Sequence, residues 1–136
     1  MLRITVGDLA FEAELEAEAA PRTIAAVREL LPLESKLVQA RWSGEAAWVP
    51  LGFELELELG PENANSYPAP GELLLYPGGL SEVEILVPYG ATCFASRMGQ
   101  LAGNHFATVH RGRERFPEIG RRVLMEGAQN ILFEET

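Results

Sequence analysis

The sequence predicts a mainly β fold, a closed antiparallel barrel of about eight short strands capped by two short helices. Three observations predict it. Short runs with period-two alternation recur along the chain, only two segments carry a helical apolar period, and neither a strand–helix–strand alternation nor an internal repeat occurs. The same strands arranged as a split sandwich would give a similar pattern.

Leu2–Val6 and Ala10–Leu15 are separated by Gly7-Asp8. Leu2, Ile4 and Val6 alternate with polar residues, as do Phe11, Ala13 and Leu15 with Glu12 and Glu14, so the pair reads as a half-buried hairpin. Glu18–Pro32 then reads as one bounded helix. Pro21 suits its first turn, where the missing N–H costs nothing; Ile24, Val27 and Leu31 share a face, and Pro32 ends it. Lys36–Trp42 and Ala46–Val49 flank Ser43-Gly44-Glu45 as a second hairpin. Phe53–Leu59 alternates without a break. It predicts a strand with Phe53, Leu55, Leu57 and Leu59 on the core and Glu54, Glu56 and Glu58 in water, a charged row that also discourages edge-to-edge pairing.

Gly60–Gly71 holds Pro61, Pro68 and Pro70 and reads as a long ordered loop inside one domain. Glu72–Tyr76 and Val83–Pro88 are strands on either side of Pro77-Gly78-Gly79, and Asn104–His110 is another between Gly103 and Gly112. The intervening Gly90–Gly103 is rich in small residues, lacks a clean period and is a candidate functional loop. Pro117–Glu126 reads as a second helix. Ile119, Val123 and either Leu124 or Met125 supply its apolar face, Gly120 weakens it and Gly127 stops it. Gln129–Phe133 closes as the last strand.

The 136 residues fit a single domain spanning 1–136. Twenty acids against 11 bases give a net charge of −9, which excludes attraction to phosphate backbones or anionic membrane surfaces. Residues 1–90 hold 15 of those acids and 5 of the bases, so the imbalance lies on the strand faces of the first two thirds. Cys93 is the single cysteine; no intrachain disulfide or thiolate-rich zinc site can form, in keeping with a reducing compartment, the cytoplasm. No apolar run reaches the ~20 residues of a membrane helix, and the N-terminus lacks a signal-peptide apolar region.

The order strand–strand–Ala20-Pro21-Arg22-Thr23–helix resembles the opening of the cyclophilin fold. Further along, Arg41-Trp-Ser-Gly-Glu-Ala-Ala-Trp-Val-Pro50, Pro61-Glu-Asn63, Pro68-Ala-Pro-Gly71, Tyr76-Pro-Gly-Gly79, Tyr89-Gly90 and Gly103-Asn-His-Phe-Ala107 resemble segments of a small prokaryotic family of cyclophilin-like barrels with no assigned activity. The resemblance spans nearly the whole chain and implies a minimal cyclophilin-like barrel. Prolyl isomerases of that fold carry a Phe-His-Arg stretch after the first helix and a Gln-Gly-Gly run, and neither occurs here. By the same resemblance, Arg41 stands at roughly the place of the catalytic arginine, with Trp42 and Trp48 near the aromatic pocket positions.

Several residues can carry chemistry. Arg41 beside Trp42 and Trp48 offers a fixed cation against an aromatic wall, suited to a carboxylate or carbonyl oxygen; an arginine lying over packed aromatics gives the same pattern. Glu82 and Glu84 share one strand face opposite Val83, Ile85 and Val87, where two carboxylates can bind a cation, pair with Arg41 or act as acid and base, or stand solvated. Tyr67, Tyr76 and Tyr89 sit at loop–strand junctions, and Asn63 and Asn104 adjoin tight backbone, so both sets suit either a pocket or local packing and turns.

Cys93 with His105 or His110 fits a nucleophile and base less well than a small buried hydrophobe. The histidines are five apart on one strand and so face opposite ways, which disfavours a shared metal, and no glycine segment ends as a phosphate loop. The resulting expectation is a cofactor-free and metal-free barrel. It binds a small molecule or short peptide in a barrel-edge pocket built from Arg41, Trp42, Trp48, Tyr76, Glu82, Glu84, Tyr89 and Asn104. Two alternatives stand beside it: an enzyme, either a degenerate prolyl isomerase or a lyase or hydrolase using Glu84 and Arg41, and a homo-oligomer burying the indoles and tyrosines.

Overall fold

Alternating runs find antiparallel partners throughout the computed structural model, which describes all 136 residues. The strands are β1 (Leu2–Val6), β2 (Leu9–Leu15), β3 (Leu33–Gln39), β4 (Gly44–Gly52), β5 (Ala64–Asn65), β6 (Glu72–Tyr76), β7 (Val83–Thr92), β8 (Ala95–Ser96), β9 (Gly99–Gln100), β10 (Gly103–Arg111) and β11 (Gln129–Glu135). The helices are α1 (Pro21–Leu30) and α2 (Phe116–Met125). Eight strands run in the order β2-β1-β11-β3-β4-β7-β6-β10, and β10 pairs back onto β2 to close the barrel. Closure decides for the barrel over the sandwich. β5 adds a short ninth strand against β10, while β8 and β9 form a separate hairpin.

The interior is filled by side chains. Leu2, Ile4, Phe11, Val49, Leu75, Ile85, Phe106 and Phe133 belong to one buried cluster, which α2 closes with Phe116, Ile119 and Val123. Phe116 meets Phe11 edge to face, with ring centroids 5.0 Å apart. α1 starts at Pro21, as its sequence requires, and buries Thr23, Ile24 and Val27.

Four sequence expectations need correction. Phe53–Leu59 is extended but pairs with nothing: Gly52, at φ 90°, ends β4, both edges of β4 are taken by β3 and β7, and a closed barrel has no free ladder to offer. Leu55, Leu57 and Leu59 still pack on the core, whereas Phe53 is exposed. The third strand begins at Leu33, directly after Pro32, because Leu33–Leu37 pairs with β11; it stops at Gln39, whose side-chain amide donates to the carbonyls of Ala40 and Gly44. β7 runs on through Tyr89 and Gly90 to Thr92. The apolar face of α2 is completed by Phe116, while Leu124 and Met125 point to solvent.

Gly120 is a packing requirement of α2 more than a weakness in it. A Cβ there would stand 2.2 Å from Cε1 of Tyr89. On an exposed helix face, glycine to alanine stabilises by ~1 kcal/mol. At this contact Gly120→Ala is expected to destabilise by roughly 1–3 kcal/mol through overpacking. Urea unfolding checks it, and an unchanged or raised midpoint would show that the Tyr89 ring yields freely.

Candidate functional site

The wall made by β4, β7 and β6 is apolar on both faces. Val49, Ile85 and Leu75 point inward, so their neighbours Trp48, Glu84, Leu86, Leu74 and Tyr76 point out of the barrel. Register sets Trp48 beside Leu86 and Leu86 beside Leu74; on the same face, two residues along β7, Glu84 lies between Pro50 and Tyr76. A second small core of Ala40, Ala46, Leu74, Tyr76, Leu86, Phe94 and Leu101 covers most of this outer face. Tyr76 and Phe94 meet edge to face at 5.8 Å.

The cover is the segment carrying β8 and β9. Ser43 pins it: its hydroxyl donates to the Ala95 carbonyl at 3.2 Å and accepts the Ala95 N–H at 3.0 Å. Where the cover ends, a cavity of about 340 Å³ opens, lined by Arg41, Trp42, Trp48 and Glu84 from the wall and its preceding turn. Ala95–Met98 form a further side, and Phe53, Leu80 and Ser81 complete the rim. Trp42, Phe53, Leu80 and Met98 are all more than half exposed, so the rim is apolar and open.

Glu84 lies in this cavity with only 6% of its surface exposed, and its carboxyl makes no hydrogen bond or ion pair within the protein. The other buried polar side chains, Thr23, Ser43 and Asn104, are all bonded. Burial, and secondarily the Glu82 charge, push the Glu84 carboxyl up to about 8, so at neutral pH it is mostly a neutral acid. Arg41 and Arg97 line the same cavity, and neither pairs with Glu84 or with any other carboxylate. The Arg41 guanidinium instead lies over Trp42, its carbon 5.3 Å from the ring centroid.

Four of the eight sequence-selected residues, Arg41, Trp42, Trp48 and Glu84, thus meet at one cavity. It opens on the outside of the wall, since the barrel interior is filled by its own side chains. Tyr76 is next to Glu84 and holds the rim loop, its hydroxyl accepting the Leu80 N–H at 3.0 Å. Glu82 lines a neighbouring shallow cleft with Leu55 and Gly78.

Tyr89 and Asn104 lie elsewhere. Tyr89 belongs to the inner core under α2 and donates to Oε1 of Gln39 at 2.6 Å. Asn104 donates to Oγ1 of Thr23 and the Gly60 carbonyl and accepts the Glu62 N–H. Glu62 accepts from the Thr23 N–H and hydroxyl and from Arg22 at the start of α1. Partial burial opposes its ionisation, but these hydrogen bonds prevail and hold its carboxyl down at about 2. That network fastens the long loop to α1 and β10. His105 contacts the Thr108 hydroxyl at 2.7 Å, and neither histidine bonds to Cys93. No three His, Cys, Asp or Glu side chains group closely enough to hold a metal ion.

The fold and cavity define a closed eight-stranded antiparallel barrel with a pocket on its outer wall. The chain belongs to the DUF3830 family, proteins of unknown function, whose model matches residues 2–134. Among solved structures, McbB, determined in complex with tryptophan, superposes with a TM-score of 0.76 at 17% identity over all of this chain. The chain spans 45% of McbB's length. A hypothetical protein of Archaeoglobus fulgidus, solved in solution, gives a TM-score of 0.64 at 21% identity over 99% of this chain and 93% of its own. Both likenesses are of fold. No curated protein matches the chain in sequence, and no helix is long and apolar enough to cross a membrane.

Glu84 makes stability depend on pH in a defined direction. Its carboxyl ionises near the ordinary 4.5 when unfolded and near 8 when folded, so folding favours the protonated form. The contribution is complete below pH 4.5 and is lost as pH rises through 8. Glu84→Gln removes the effect. The variant is expected to gain on the parent by roughly 1.4 kcal/mol per pH unit at most across that window, levelling off above it. Denaturant unfolding of both proteins from pH 4 to 9 measures the difference, and a flat difference curve contradicts the assignment.

Proposed function

We propose that this protein is a small-molecule-binding barrel whose binding site is the outer-wall cavity around Glu84. The observation that carries the reading is a largely buried Glu84 whose carboxyl has no partner in the protein and opens only onto a cavity walled by two indoles. Partial loss of hydration is costly for a carboxyl with no protein partner, and an occupant that bonds to the group offsets the cost. At about 340 Å³ the cavity is at the low end of the ~300–1,000 Å³ usual for ligand pockets, which favours a single small molecule over a peptide. McbB, of which this chain matches 45%, was solved in complex with a small molecule, tryptophan, and is in keeping with a small-molecule reading.

A fragment screen followed by amide chemical shifts of labelled protein tests the site. Hits are expected to move the indole signals of Trp42 and Trp48 and the amides of Ala95–Met98, and Trp48→Ala is expected to weaken them at least tenfold. Hits that map elsewhere overturn the reading. So does a dimer, seen by light scattering, whose interface covers Trp42, Phe53, Leu80 and Met98; the rim would then be a subunit contact.

The likeness to cyclophilin-like barrels belongs to the same reading, without their isomerase activity. The Phe-His-Arg and Gln-Gly-Gly segments that build the proline pocket are missing, so a protease-coupled prolyl-peptide assay at micromolar protein is expected to return the uncatalysed rate. Acceleration abolished by Arg41→Ala would make the protein an isomerase instead. One observation favours a second, enzymatic reading in the same cavity: a carboxyl titrating near 8 is suited to take and return a proton, with Arg41 steadying an oxyanion.

A further inference from the structure

The cavity holds an acid and two guanidinium groups that the protein leaves without partners. Glu84 stands at its buried end with no partner, and Arg41 and Arg97 stand on its exposed side with no carboxylate. Folded proteins bury ionisable groups with partners, and an ion pair across a dry gap is favourable only when the geometry is close. Here the acid and the guanidinium groups are too far apart to pair, and Trp42, Trp48, Phe53 and Met98 supply apolar surface beside them. Glu82, close enough to act on Glu84, adds negative potential near the inner end. An occupant that completes the site turns an ammonium toward Glu84 and a carboxylate toward the guanidinium groups and lays an apolar body against the indoles.

We propose that the cavity takes a small zwitterion, an α-amino acid with an aromatic or branched apolar side chain, its ammonium on Glu84 and its carboxylate on Arg41. The inference rests on the small-molecule reading above and names the ligand class for that site. The ammonium gives Glu84 a charge-assisted hydrogen bond in place of none. Indole faces stabilise the same cation and stack on an aromatic body. Arg41, already settled over Trp42, presents its planar donors to the carboxylate at the rim. Because Glu84 is mostly protonated in the empty site at neutral pH, docking of an ammonium displaces its proton to solvent.

Both tryptophans of the chain line the cavity, so tryptophan emission excited beyond tyrosine absorption reports on this site alone. Four matched probes separate the charges: phenylalanine, phenethylamine, 3-phenylpropionate and neutral 2-phenylethanol, excited where phenyl groups do not absorb. Phenylalanine is expected to bind at least tenfold tighter than each of the others. Glu84→Gln is expected to weaken phenylalanine and phenethylamine at least tenfold and to leave 3-phenylpropionate within about twofold; Arg41→Ala is expected to do the reverse. Calorimetry at pH 7 in buffers of different ionisation enthalpy is expected to show release of about one proton with phenylalanine and none with 3-phenylpropionate. Equal binding of phenylalanine and 3-phenylpropionate, or of 2-phenylethanol, overturns the zwitterion while the cavity remains a binding site. Silence of all four probes, when fragments shift Trp42 and Trp48, also overturns it and spares the broader reading; silence of probes and fragments together removes both.

Discussion

The structure depends on one constraint, a barrel wall that must be dry on both faces. Val83–Tyr89 is seven consecutive buried residues. A strand of a simple barrel needs cover on one side only, since its alternate residues face water. Here Leu86, Leu74 and Tyr76 point outward and are as apolar as the residues inside, so the chain has to furnish a second cover. It does so with the segment after β7, which lays Phe94 and Leu101 over the wall and is held there by Ser43, by Phe94 N–H bonding to the Ser66 carbonyl at 2.7 Å, and by Leu101 N–H bonding to Phe94 at 2.9 Å. Hydrophobic burial at ~25 cal/mol per Å² drives the covering, and these few hydrogen bonds fix its position. The cavity lies at the limit of that cover.

The alternation along the sequence specifies side-chain direction, and for most strands direction was enough. β1, β2, β6 and α2 lie within a residue or so of where periodicity and proline put them, and α1 is three residues shorter at its start and two at its end than the stretch read as helix, because one buried face and a tight turn determine them locally. Phe53–Leu59 shows what alternation omits. Its leucines do turn to the core, yet a strand also needs a partner's free edge, and whether an edge is free is a property of barrel closure, far away in sequence.

The site was half legible for a similar reason. Arg41, Trp42, Trp48 and Glu84 stood out as charged or aromatic residues where a β pattern does not require them, and β register brings them together. Phe53, Leu80 and Met98 had no such mark. They come from three separate loops, and an apolar residue in a loop gives no sign of what it will line. Gly90–Gly103 did carry a trace, since a small-residue stretch without period is free to fold over a wall. Tyr89 and Asn104 attracted notice by type, but their polar atoms are saturated by Gln39 and by Thr23, Glu62 and Gly60, which makes them parts of the frame.

Saturation separates the two kinds of polar residue in this molecule. Around Asn104, each donor and acceptor has a neighbour, and the network ties three parts of the chain that share no ladder at that point. Glu84 ties nothing. A leucine in its place would extend the outer core already formed by Leu74 and Leu86 and would relieve the carboxyl's loss of hydration. The fold therefore has no use for an acid there, and the acid weakens it increasingly as pH rises toward 8. A group that costs stability, satisfies no neighbour and lies in an open cavity between indoles is explained by what enters that cavity.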